Sequence, residues 1–321
     1  MTVTLLPGPA QGTLAAIPSK SAAHRLLICA ALGDRPVRVV CPQTSQDIEA
    51  TVRCLNGLGA SIRPWDQGYD VTPLDRAQAA GPCDLDCGES GSTLRFLLPV
   101  AGALGAQATF HLAGRLAQRP LGPLTEQLEA GGCTVDLRPQ ENRLTIQGQL
   151  QPGDYTLPGD VSSQFITGLL YALPLLEGDS ELVLTTALES RGYVDMTLDA
   201  LAQFGVSAEY DGDRRFRVPG NQVYRHRDLA IEGDWSNAAF WFAAAFLGHR
   251  VDVEGLNPRS VQGDRVIGEQ LARLTRPGPA ELDVSQCPDL VPPLAAMAAL
   301  RAGETTAIVN AARLRIKESD R

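Results

Sequence analysis

No stretch of the chain reaches membrane-spanning length without a glycine, a proline or a charge, so no spanning helix is expected. The runs GLLYALPLL and FWFAAAFLG read instead as core helices. The opening MTVTLLPGPAQG has neither a basic leading region nor a long apolar one, and reads as no signal peptide. Cysteines at 29, 41, 54, 83, 87, 133 and 287 are odd in number and scattered. Only Cys83 and Cys87 lie close together, and no second pair or histidine-rich partner completes a zinc pattern. Reduced, buried thiols in a cytoplasmic protein are the better reading. Positive charge is also short. A net charge of −9 argues against a nucleic-acid surface and exerts no long-range pull on anions. Any anion site must be local.

What is present suits a soluble globular protein of two domains: 321 residues, 44% hydrophobic and 20% charged. The stretch that organises it is Pro18-Ser19-Lys20-Ser21-Ala22-Ala23-His24-Arg25, followed by an apolar run to Leu32 and Gly33. Ser21 reads as a helix N-cap and Gly33 as the stop. A cation before the cap and another in the first turn add to free backbone N–H groups, which suits a carboxylate or phosphate.

Related segments recur. They are Gly88-Glu89-Ser90-Gly91-Ser92-Thr93-Leu94-Arg95, then Gly159-Asp160-Val161-Ser162-Ser163-Gln164, then Gly233-Asp234-Trp235-Ser236-Asn237, each before an apolar run. A looser copy opens at Pro288-Asp289. Between them a helix ending Leu-Gly-Ala-Ser, Gly-Gly-Cys-Thr or Phe-Gly-Val-Ser leads into another strand. The repeating unit holds two helices and several strands, with a period too long for common solenoids. The expectation is an α/β fold in which several helix N-termini face one cleft. Strands are expected at 2–6 and 12–17, helices at 265–274 and 290–301, and a domain boundary in NQVYRHRD.

Taken together, PSKSAAHR, GESGSTLR, QRPLGPL, DVSSQF and RIKESDR resemble the 5-enolpyruvylshikimate-3-phosphate synthase family, in consistent order along the whole chain. RIKESDR and DVSSQF favour it over the related UDP-N-acetylglucosamine enolpyruvyl transferases, whose catalytic cysteine loop has no counterpart around Arg119. The resemblance implies a two-domain inside-out barrel of repeated βαβαββ units. The first, discontinuous domain would comprise 1–15 and 227–321 and be incomplete; the second, continuous one would be 16–226. It implies transfer of the enolpyruvyl group of phosphoenolpyruvate to the 5-hydroxyl of shikimate 3-phosphate, releasing phosphate, with no metal or organic cofactor. A monomer and possible inhibition by glyphosate follow from the same resemblance.

It also implies roles. Lys20 would touch both substrates. Ser21, Arg25, Ser162, Ser163, Gln164, Ser190, Tyr193 and Lys317 would contact shikimate 3-phosphate. Gly91, Arg119 and Arg321, with Gln164, would contact phosphoenolpyruvate. Asp289 would be the general base at the 5-hydroxyl, and Glu318 a proton-transfer group at the vinyl methylene. Each also has a plainer reading: capping for the serines and Asp289, a helix-face charge for Arg25, core for Tyr193. Arg95 would support the site or make a structural ion pair. Glu89 and Phe96 stand where the family often has Asn and Pro. The family continues beyond RIKESDR with further cations, so the chain as written is expected to bind shikimate 3-phosphate and turn over poorly. LVPPLAAMAAL is expected to lie exposed. A non-catalytic binding fragment, or an enzyme acting on another hydroxylated anion, are the competing readings.

Overall fold

The computed structural model describes residues 4, 6, 8–312 and 314. The expected strand at 2–6 falls largely outside them. Contacts divide the chain into two compact units, Met1–Ser19 with Glu232–Arg321, and Lys20–Ile231. The sequence placed these divisions a few residues earlier. Ser19 stays with the first unit because its N–H donates to the Glu232 carbonyl, and Pro18 forms an antiparallel bridge with Gly233.

The chain begins with β1 (Gln11–Ala15) and then builds the second unit. Its first repeat is α1 (Lys20–Ala31), β2 (Val37–Val40), α2 (Gln46–Gly57), β3 (Ser61–Trp65) and β4 (Gly68–Thr72). The second is β5 (Pro82–Gly88), α3 (Gly91–Ala103), β6 (Gln107–Leu112), α4 (Gly122–Ala130), β7 (Cys133–Arg138) and β8 (Arg143–Gly148). The third is β9 (Asp154–Leu157), α5 (Ser163–Ala172), β10 (Ser180–Leu184), α6 (Arg191–Gln203), β11 (Glu209–Tyr210) and β12 (Arg215–Val218).

Each repeat makes an open four-stranded sheet of one topology. The first two strands are parallel, as a helical crossover requires, and a hairpin adds antiparallel to the second. The first repeat has no strand before α1, so the last strand of the unit supplies it. That strand, β13 (Leu229–Ala230), runs parallel to β2. The βαβαββ organisation is therefore present three times, and no sheet among the described residues closes on itself.

Glycines end the second helix of each repeat with positive φ at Gly59, Gly132 and Gly205, a conformation that costs glycine no Cβ clash. Helices α1, α3 and α5 are apolar on every side and buried almost throughout. The contact of α3 with α5 depends on Gly168, where a Cβ would meet the Arg95 carbonyl oxygen at 2.2 Å. Gly168→Ala is expected to cost about 1–3 kcal/mol, because backbone cannot retreat as a flexible side chain can. Urea unfolding measures it; an unchanged midpoint would show that α3 and α5 separate freely.

After Glu232 the first unit resumes with α7 (Trp235–Phe246), β14 (Arg250–Glu254), α8 (Ile267–Leu274), β15 (Ala280–Asp283), α9 (Val291–Ala298) and β16 (Thr306–Val309). Here β14 pairs parallel with β1, and β16 parallel with β15, in two-stranded sheets. Ile267, Leu282, Leu290, Leu294 and Met297 form a separate core. LVPPLAAMAAL buries Leu290, Pro293, Leu294 and Met297, so among its large side chains the expected exposure is met only at the end, where Leu300 lies open. Phe240 and Trp241 on α7 are exposed as well.

Candidate active site

Of the expected site residues of the second unit, Lys20 and Ser21 lie at the start of α1, Gly91 at that of α3, Ser162, Ser163 and Gln164 at that of α5, and Ser190 and Tyr193 at that of α6, while Arg119 precedes α4. Ser90 caps α3 by accepting from the Thr93 N–H at 3.3 Å, and Ser162 caps α5 by accepting from the Gln164 N–H at 3.3 Å. Asp234 does the same for α7, so Asp234 rather than Ser236 is the cap there. Ser90, Ser162 and Asp234 follow one another at intervals of 72 residues. The first copy departs from the expectation. α1 begins at Lys20, so Ser21 lies inside the first turn and does not cap it.

Acidic side chains in a first turn complement the helix dipole. None occurs there in α1, α3 or α5, nor in α4, α6, α7 or α9, whereas α2 carries Asp47 and Glu49 and α8 carries Glu269. The cations beside α1 and α3, rather than the missing acids, set these ends apart. Lys20 adds a charge, its Nζ 2.9 Å from Asp47 and its side chain about half exposed. An exposed pair of this kind is loosely held and readily exchanged for another anion.

Arg25 is not the solvated charge that one reading allowed. It is 3% exposed. Nε donates to Thr197 Oγ1 at 3.0 Å, Nη1 to the Ser21 carbonyl at 2.7 Å and Nη2 to the Tyr193 carbonyl at 2.8 Å. Its guanidinium lies 5.2 Å from the centre of the Phe96 ring. Burial lowers its pKa. Arg25 thus fixes the start of α1 against α6, and brings Ser21 and Tyr193 together through their backbones. Phe96, the departure from the usual proline, acts through this stacking and is itself buried.

Gly91 is buried at the start of α3, where a Cβ would meet Arg119 Nη1 at 2.4 Å. Arg119 is extended, with φ −76° and ψ 137°, as expected before Pro120. The planar guanidinium therefore lies against the α3 N-terminus, and the glycine is needed for space rather than for backbone freedom. Arg95 donates through Nη1 to Gln164 Oε1 at 2.6 Å and through Nη2 to the Pro120 carbonyl at 3.3 Å. Gln164 Nε2 in turn donates to Ser92 Oγ at 2.8 Å. Arg95 thus ties Gln164, in the first turn of α5, to the peptide after Arg119, and Gln164 ties on to Ser92 beside Gly91. Glu89 places its carboxylate against Gly114, where a Cβ would come within 2.5 Å of Oε1.

Ser190 precedes α6 with φ 53°, a left-handed conformation unusual for serine, and is buried. Ser163 is buried at the first position of α5. Asp289 lies in the other unit, in a short 3-10 turn before α9. Lys317, Glu318 and Arg321 lie outside the described residues.

One buried chain of hydrogen bonds escaped the sequence reading. His24 Nδ1 is 2.7 Å from Thr51 Oγ1, Thr51 Oγ1 is 2.7 Å from Thr93 Oγ1, and Thr93 Oγ1 donates to Ser90 Oγ at 2.7 Å. It links α1 through α2 to the α3 cap. Burial, aided by Lys20, lowers the His24 pKa from 6.5 to about 3, so the imidazole is neutral at physiological pH. The unfolded chain takes up this proton below about pH 6.5 while the folded chain does not. The stabilisation is complete above that pH and is lost as pH falls towards 3. His24→Asn should flatten the pH dependence of the unfolding free energy in that window. Parallel profiles for both proteins would show that His24 does not set it.

All seven cysteines are free, and Cys54 Sγ lies 3.8 Å from Cys87 Sγ. No described helix is long and apolar enough to cross a membrane. The described residues hold no cluster of three or more His, Cys, Asp or Glu suited to a metal ion.

Comparison with known proteins bears on the family and the fold. A 3-phosphoshikimate 1-carboxyvinyltransferase of Clostridium kluyveri is 43% identical over 99% of this chain and 78% of its own. One from Clostridium botulinum strain Eklund 17B is 40% identical over the whole of this chain and 78% of its own. The solved EPSP synthase of Acinetobacter baumannii shares the fold with a TM-score of 0.79, covering 98% of this chain and 77% of that one at 22% identity. The family model for EPSP synthase (3-phosphoshikimate 1-carboxyvinyltransferase) matches residues 6–321, and the chain belongs to that family.

Proposed function

We propose that the chain transfers the enolpyruvyl group of phosphoenolpyruvate to the 5-hydroxyl of shikimate 3-phosphate, with release of phosphate. The observation that carries this reading is the set of N-termini of α1, α3 and α5, flanked by Lys20, Arg25, Arg95 and Arg119. Such ends suit phosphate and carboxylate groups, and both substrates carry them. Ser162, Ser163 and Gln164 offer hydroxyl and amide donors to shikimate 3-phosphate, with Ser21, Ser190 and Tyr193 as further contacts, and Lys317 is assigned to the same substrate by the family resemblance. Arg25 reaches that pocket mainly as the clamp on Ser21 and Tyr193. Arg119 offers a forked pair of donors to phosphoenolpyruvate over Gly91, with Lys20 and Gln164 as further contacts, and Arg321 is assigned to the same substrate by the family resemblance.

In this reading Asp289 accepts the proton of the 5-hydroxyl as its oxygen attacks C2 of phosphoenolpyruvate, while the methylene carbon is protonated. Glu318 serves that second transfer. Loss of a methyl proton then expels phosphate and restores the vinyl ether. The cations stabilise the phosphate and carboxylate charge throughout. Glyphosate, which carries a carboxylate and a phosphonate, would compete for the Arg119 side of the site. The free thiols suit a reducing compartment such as the cytoplasm.

The test is phosphate release by purified protein supplied with each compound alone and with both. Release that requires both supports the reading. Release from phosphoenolpyruvate without shikimate 3-phosphate, or a folded protein that binds neither compound, would contradict it.

A further inference from the structure

The buried chain from His24 to Ser90 has a direction, which follows from the protons its members hold. A hydroxyl has one proton to give and can accept twice. Thr93 Oγ1 gives its proton to Ser90 Oγ at 2.7 Å rather than to the Asp47 carbonyl, which lies farther off at 3.4 Å. Thr93 Oγ1 must then accept from Thr51 Oγ1, 2.7 Å away. The Thr51 proton is thereby used, so Thr51 Oγ1 accepts in turn from His24 Nδ1, also at 2.7 Å. The buried imidazole is neutral and carries one proton, which therefore sits on Nδ1. Nε2 is left a bare acceptor, in keeping with its lack of a hydrogen-bond partner among the described residues. A buried acceptor without a partner is better tolerated than a buried N–H.

The members of this relay cannot turn independently. His24, Thr51, Thr93 and Ser90 are each at most 2% exposed, so bulk solvent does not replace a lost partner. The His24 ring stands nearly perpendicular to that of Phe96, with centroids 6.2 Å apart. At the other end Ser90 Oγ accepts from both the hydroxyl and the N–H of Thr93. The cap of α3 is thus set by a side chain of α1, and the residue after the cap is Gly91. No slack exists there. A Cβ on Gly91 would meet Arg119 Nη1 at 2.4 Å and Arg95 Nη1 at 3.2 Å. A small shift at the start of α3 therefore displaces two guanidinium groups.

We propose that His24 is a positioning residue for the phosphoenolpyruvate side of the site: its Nδ1–H, relayed through Thr51 and Thr93, fixes Ser90 and with it the Gly91 turn against which Arg119 lies. This rests on the reading of Gly91 and Arg119 as phosphoenolpyruvate contacts. The relay passes no proton to a substrate; it orders the hydroxyls so that each points one way. Ser162 and Ser163 feel it less, because Ser162 caps α5 through its own bond to the Gln164 N–H.

Thr51, in the middle of the relay and on α2, is the residue to change. Thr51→Val keeps the branched shape and removes the hydroxyl, whereas Thr51→Ser keeps the hydroxyl. Calorimetry of the full chain with each compound should show phosphoenolpyruvate weakened by about tenfold in Thr51→Val, with shikimate 3-phosphate within about twofold. Thr51→Ser should recover phosphoenolpyruvate affinity to within about threefold of the unaltered chain. Thermal melts confirm that both variants fold. Long-range proton–nitrogen NMR of the imidazole rings needs no variant, and should place the His24 proton on Nδ1. A folded Thr51→Val protein that binds phosphoenolpyruvate unchanged, or loses both ligands equally, would overturn the inference. So would a Thr51→Ser protein no better than Thr51→Val, or a His24 proton on Nε2. An unaltered chain that binds shikimate 3-phosphate but no phosphoenolpyruvate marks the other failure: the reading of Gly91 and Arg119 falls, and this inference with it.

Discussion

Asp289→Asn is expected to lower kcat by about 10²–10⁴-fold while leaving KM for shikimate 3-phosphate within about threefold. The amide keeps the size of the carboxylate and part of its hydrogen bonding, so ground-state contacts survive. It cannot accept the 5-hydroxyl proton, and the attacking oxygen then remains a neutral, weak nucleophile. The residue is well placed for a group that must stay put. It lies in the turn Pro288–Leu290, between Cys287 and Leu290, both of which are buried. Steady-state kinetics with both substrates varied gives the answer. An unchanged kcat with a raised KM would make Asp289 a binding group.

The second large effect is expected at Arg119. Arg119→Lys should weaken phosphoenolpyruvate by about 10–100-fold and leave shikimate 3-phosphate affinity nearly intact. Lysine keeps the charge and loses the fork, and hydrogen bonds to charged groups contribute about 1.5–3 kcal/mol each. The selectivity follows from position. The guanidinium packs on Gly91 at the start of α3, whereas the proposed shikimate 3-phosphate contacts centre on α5 and the Arg25 clamp. Calorimetry with each ligand separates the two. Equal weakening of both would place Arg119 in a shared or structural role.

Much of this was legible because repetition made weak signals agree. A serine before one apolar helix says little, but caps at Ser90, Ser162 and Asp234 with one spacing mark a repeated fold. Glycines at the ends of the second helices carried the same message. What stayed hidden depends on contacts distant in sequence. The start of α1 was misplaced by two residues because Ser19 is held by Glu232, more than two hundred positions away. Arg25 was open to reading as a surface charge because Thr197 and Tyr193, which enclose it, belong to the third repeat. β13 has two residues, too few to show any alternation, and is recognisable only by its pairing with β2.

One compositional signal went unused. The chain holds two lysines, Lys20 and Lys317, among 28 basic residues. Both stand in motifs that the family resemblance assigns to substrate contact. Where arginine otherwise serves, a retained lysine marks a place where a compact ammonium is wanted.

The central claim is that the starts of α1 and α5 hold the phosphate of shikimate 3-phosphate. Calorimetric titration of the 321-residue protein with that compound alone tests it most directly. The account predicts a single site, weakened by salt, with affinity lowered about tenfold or more by Ser163→Ala, which removes one hydroxyl donor without touching the Ser162 cap. A cooperatively melting protein that takes up no shikimate 3-phosphate, or binds it equally well with and without the Ser163 hydroxyl, would contradict the account.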